Sequence, residues 1–96
     1  MNIGATITKL RKNKGLSQKE LAKMCGLSTT SMNQIENGRF NPTYTTLTDI
    51  ASALHTDAAL IYFMSCEPGK EMPEGKKELF EYVRSFVVIM FESFYL

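Results

Sequence analysis

The chain has 96 residues, of which 44% are hydrophobic, with a net charge of +1 and two cysteines, Cys25 and Cys66. That is material for one modest core, not two, and cysteines so far apart form neither a metal-ligand cluster nor a disulfide framework, as in a reducing compartment. The N-terminal MNIGATITKL lacks the apolar run of a signal peptide. The apolar run from Phe86 to Phe91 is six residues against the ~20 that a membrane-spanning helix needs. A soluble, cytoplasmic protein is expected.

Taken in chain order, Ile3, Ile7 and Leu10 recur at helical spacing between Lys9, Arg11 and Lys12, which predicts an amphipathic helix over residues 2–13, stopped by Gly15. Ser17 followed three residues later by Glu20 is a capping box that opens a second helix. Leu21, Ala22 and Cys25 face inward there, and Gly26 ends it. Ser28 caps a third helix with Met32 and Ile35 as its buried stripe, closed by Asn37-Gly38. Asn41-Pro42 is a turn, and Thr43 caps a fourth helix burying Leu47, Ile50, Ala51 and Leu54. Asp57 caps a short fifth helix that ends near Met64. With no strand signal, residues 1–64 read as an all-α domain.

Residues 65–75, SCEPGKEMPEG, change composition to prolines, glycines and glutamates and read as a linker. Residues 76–96 look helical again and are densely apolar. Charge divides along the chain. Residues 1–46 hold seven basic and two acidic side chains, a net +5, whereas residues 47–96 hold four basic and eight acidic, a net −4. A polyanion would therefore meet the front half, although ordinary surface charge is an equally good account of the asymmetry.

The second and third helices carry the informative spacing. Two short helices joined within two or three residues cross steeply, as in a helix-turn-helix or in an ordinary helical hairpin. In the former, the first turn of the second helix enters the DNA major groove. With Met32 and Ile35 facing the core, the outward positions are Thr29, Thr30 and Gln34, with Asn33 beside them. A Gln amide pairs with adenine, and Thr offers a hydroxyl and a methyl to base edges. These four are the candidate base contacts.

From Ile7 to Leu60 the segments LSQKELA, S…QIENGR and P…TL…IA.AL fall in the order and spacing of a known family. The chain resembles the DNA-binding domain of the phage repressor and Cro (XRE-like) helix-turn-helix regulators. The resemblance implies an all-α, five-helix, lambda-repressor-like domain in which helix three reads bases. It implies that Gln18 meets a phosphate and buttresses helix three, and that Arg11 pairs with Glu36; with Gln18, the candidate phosphate contacts at matching positions are Ser17, Ser31, Asn37, Arg39 and Thr45. His55 stands where such proteins often carry Gly, which points to a structural role in a left-handed turn.

Catalysis is not expected. One His, no Cys–His pairing, no phosphate loop and no clustered carboxylates leave nothing to assemble an active site from, and no cofactor or metal is called for.

Thirteen of the eighteen residues from Leu79 onward are apolar, more than one contact with a small domain can cover. Because a regulator of this type reads two half-sites ~34 Å apart as a two-fold dimer, Leu79, Tyr82, Val83, Phe86, Ile89 and Met90 are the candidate dimer interface. Packing on the chain's own domain and a strand built from FVVIMF are the competing readings. The expected partners are thus double-stranded DNA with a palindromic operator and a second copy of the chain. A protein partner bound through the C-terminal segment, as in an antitoxin, is a different class of reading.

Overall fold

The computed structural model describes residues 2–65 and 74–95, all of whose regular elements are helices. They are α1 (Ile3–Asn13), α2 (Gln18–Met24), α3 (Thr29–Glu36), α4 (Tyr44–Ala53), α5 (Ala58–Ser65) and α6 (Glu74–Tyr95). Ser65 closes α5 and α6 starts at Glu74. Residues 66–73, the rest of the linker expected over 65–75, lie outside the described residues. FVVIMF is helical, not a strand.

Local chemistry sets the boundaries. Ser17 Oγ accepts from the Glu20 N–H at 3.0 Å, and the Glu20 carboxylate accepts from the Ser17 N–H at 3.1 Å, which completes the capping box. These bonds hold the Glu20 carboxyl below its ordinary pKa. Ser28 and Thr43 accept from the Ser31 and Thr46 N–H groups at the starts of α3 and α4, and Asp57 Oδ1 accepts from Ala59 at the start of α5.

The ends of the helices are equally local. Gly26 has φ +70°, and with it the Leu27 N–H reaches back to the Ala22 carbonyl at 2.8 Å, closing α2 in a Schellman turn. At the end of α4 the left-handed position is taken by His55, φ 57°, and the Thr56 N–H reaches the Ala51 carbonyl at 2.9 Å. His55 therefore does backbone work there.

α2 packs on α3 and α4, α1 packs on α3 and α5, and α4 on α5. Ile7, Leu10, Leu21, Met32, Ile50, Leu54 and Ile61 form the fully buried centre. Cys25 is only half-buried. α6 lies across α5, and its Phe91, 3% exposed, enters the same core.

Candidate nucleic-acid interface

Met32 and Ile35 lock one side of α3 into the core, at 0% and 2% exposure. Thr29, Thr30 and Asn33 consequently stand in solvent. Gln34 is half-buried, so its side chain lies along the edge of the exposed face rather than at its centre. Ser31 is also half-buried, and its Oγ accepts from Ser28 Oγ at 2.9 Å, which ties it to the helix cap.

Behind α3 lies a buried ion pair. Arg11 Nε donates to Glu36 Oε2 at 2.8 Å and Nη2 to Oε1 at 3.1 Å, with the two side chains 10% and 3% exposed. Arg11 Nη1 donates to the Leu16 carbonyl at 2.7 Å, and Thr8 Oγ1 and Gln18 Nε2 donate to Glu36 Oε1 at 2.9 and 3.0 Å. Burial by itself would raise the Glu36 pKa, but the hydrogen bonds from Arg11, Gln18 and Thr8 and the Arg11 charge outweigh it and hold the carboxyl below its ordinary value. This forked, fully bonded geometry is what makes a buried charge pair tolerable.

The network continues to the surface. Asn33 Nδ2 donates to Gln18 Oε1 at 3.3 Å, and Asn37 Nδ2 donates to Asn33 Oδ1 at 3.0 Å. Gln18, half-buried, thus bridges the ion pair beneath α3 and an exposed side chain upon it. The amide expected to face a phosphate also holds α3 from within. Ser17 is exposed at the start of α2, Asn37 and Arg39 are exposed past the end of α3, and Thr45 is exposed in the first turn of α4. Thr8 was not anticipated as part of this site, and nothing in the sequence around it distinguishes it from any helical Thr.

Among the described residues no group of His, Cys, Asp or Glu is placed to hold a metal ion, and no helix is long and apolar enough to cross a membrane. Burial, and then the neighbouring Asp49 charge, push the Cys25 thiol upward, opposite to the shift of an activated nucleophile.

Two short capped helices, the second exposing a polar face over a rigid buried network, define the helix-turn-helix class of DNA-binding protein. A family model described as Helix-turn-helix matches residues 7–61, and the chain belongs to this family, the phage repressor and Cro-like group of transcriptional regulators, not to an enzyme family. The chain is 46% identical over 55 residues to the "ImmF control region 10 kDa protein" of Bacillus phage phi105, covering 57% of this chain and 61% of that one. It is 36% identical over 61 residues to the "Immunity repressor protein" of the same phage, covering 64% and 42%. It is also 40% identical over 52 residues to the uncharacterized HTH-type transcriptional regulator y4dJ of Sinorhizobium fredii, covering 54% and 68%. The chain thus spans about three fifths of the first of these relatives. The solved structure of the clp gene regulator ClgR from Corynebacterium glutamicum shares the fold, with a TM-score of 0.63 at 20% identity over 98% of this chain and 92% of that one.

Proposed function

We propose that this protein is a cytoplasmic, sequence-specific repressor of transcription that binds a palindromic operator as a homodimer and occludes a promoter. The carrying observation is α3, held rigidly from behind while Thr29, Thr30 and Asn33 face solvent and Gln34 flanks them. In this reading these four residues meet base edges, while Ser17, Gln18, Ser31, Asn37, Arg39 and Thr45 meet the phosphates that set register. The phage relative named as an immunity repressor protein supports repression.

Binding to a panel of operator variants over a range of salt separates the two sets. Gln34→Ala is expected to relax discrimination at one base pair by ~1–3 kcal/mol. Arg39→Ala is expected to weaken every sequence alike and to lower the salt slope by ~1. Identical behaviour of the two variants would overturn the division of roles.

Self-association rests on α6, where Leu79, Tyr82, Val83, Phe86, Ile89 and Met90 are between 44% and 76% exposed and lie on one side of the helix. A contiguous apolar patch of this kind marks a contact surface, and two-fold pairing of α6 would cover it in both copies. Phe86→Glu with Ile89→Glu in the full chain is expected to halve the mass seen by sedimentation and leave helicity unchanged. Deleting α6 outright would be a poorer test because it also removes Phe91 from the core. An intact double variant that stays dimeric would sink this interface. A wild-type chain that is monomeric and instead captures a different protein through the same face would favour the interaction-module reading.

A further inference from the structure

α6 is bound to its own domain along a single face. Phe80 lies against Phe63 with ring centroids 6.0 Å apart. Arg84 Nη2 donates to the Met64 carbonyl at 2.6 Å, placing a cation at the C-terminal end of α5, where unpaired carbonyls and the helix dipole favour one. Phe91 fills part of the core, and Lys9 Nζ donates to Glu92 Oε1 at 3.2 Å. Positions 80, 84 and 91 follow a helical repeat of about 3.6. The exposed stripe that includes Tyr82, Phe86 and Ile89 lies roughly opposite. One helix therefore carries two apolar faces, one occupied in cis and one open.

We propose that the occupied face makes α6 a spacer of fixed geometry, with Arg84 and Phe91 as positioning residues that set the separation of the two recognition helices and hence the half-site spacing the protein accepts. The inference rests on the homodimer reading above. If the open face of α6 meets a second copy, the angle at which the opposite face grips the domain fixes where each α3 lies. The cis contacts are spread over three turns of α6, which restrains both its tilt and its rotation about its own axis. A one-base-pair change in spacing moves a half-site by ~3.4 Å and turns it by about a tenth of the ~34 Å repeat, so a rigid spacer discriminates and a loose one does not.

The test uses the full chain and duplexes carrying two copies of the half-site selected from a random DNA pool, with their separation varied in single base-pair steps. Wild type is expected to lose affinity on the order of tenfold at one base pair to either side of its optimum. Arg84→Ala and Phe91→Leu are expected to remain dimeric by sedimentation and to retain binding to a single half-site. Their loss at the neighbouring separations should shrink to two- or threefold. Arg84→Lys, which keeps a cation able to donate to Met64, should return the steep profile. If Phe91→Leu fails to fold, the arginine pair decides alone. A dimeric Arg84→Ala with the wild-type spacing profile would overturn the spacer while leaving the dimer intact. A monomeric wild-type chain would overturn the dimer reading and the spacer with it.

Discussion

Glu36→Ala is expected to cost about 3–5 kcal/mol of folding stability, read as a fall in the denaturant midpoint at pH 7, because it strands a buried Arg11 guanidinium. Thr8 and Gln18 lose the acceptor they share in the same step. Arg11→Ala should cost a similar amount by stranding the carboxylate. The double variant should cost clearly less than the two singles combined, since each single already breaks the same pair. Strictly additive losses would show that the charges do not stabilise the fold as a unit.

The same pair has a pH signature. Glu36 has a folded pKa below its ordinary value of 4.5, so its contribution is complete above about that pH. It is lost progressively as pH falls through the lower folded value, when the carboxyl takes up a proton and Arg11 loses its counter-charge. As pH falls below that value, wild type should therefore lose stability more steeply than Glu36→Gln, which has no proton to take up. Parallel curves for the two proteins would place the acid sensitivity on other carboxylates.

Gly4→Ala should be the second costly change, although alanine is the better helix former by about 1 kcal/mol. α1 crosses the end of α3 so closely that a Cβ on Gly4 would stand 2.6 Å from the Glu36 carbonyl oxygen and 2.9 Å from its carbonyl carbon. Both are backbone atoms and have no rotamer by which to yield. The expected result is a net loss on the order of 1–3 kcal/mol, with weaker DNA binding because the clash displaces the end of α3. Gly75→Ala is the control. Gly75 lies within α6 with nothing inside 4 Å of an added Cβ, and that substitution should gain about 0.5 kcal/mol. Opposite signs in thermal melts are the expected outcome, and two gains would refute the close crossing.

These cases divide along a physical line. Ser17, Ser28, Thr43 and Asp57 announce their helices because a cap bonds to N–H groups two or three residues away. His55 could be placed in a left-handed turn because the resembled family often carries Gly there and His tolerates that conformation. The buried stripe of α3, and therefore its outward face, followed from periodicity. The start of α6 was missed by two residues because its first turn, at Glu74 and Gly75, carries no apolar signal.

What stayed hidden in the sequence concerns surfaces that meet across long separations. Gly4 looks like a weak point in a helix until α3 is laid against it. Gln18 is a plausible phosphate ligand by position, yet only the packed structure puts its amide between Glu36 and Asn33. Phe86 and Phe91 both fall among the thirteen apolar residues from Leu79 onward, whereas packing sends Phe91 inward at 3% exposure and leaves Phe86 60% exposed. The sequence by itself determined six helices, the caps of α2 to α5, the inner side of α1 to α4 and the family to which the chain belongs, because hydrogen bonds within a turn and the 3.6-residue repeat are local. Tertiary structure alone decided which half of α6 is already occupied and how Glu36 is held, because both depend on groups 17 residues or more apart coming into contact.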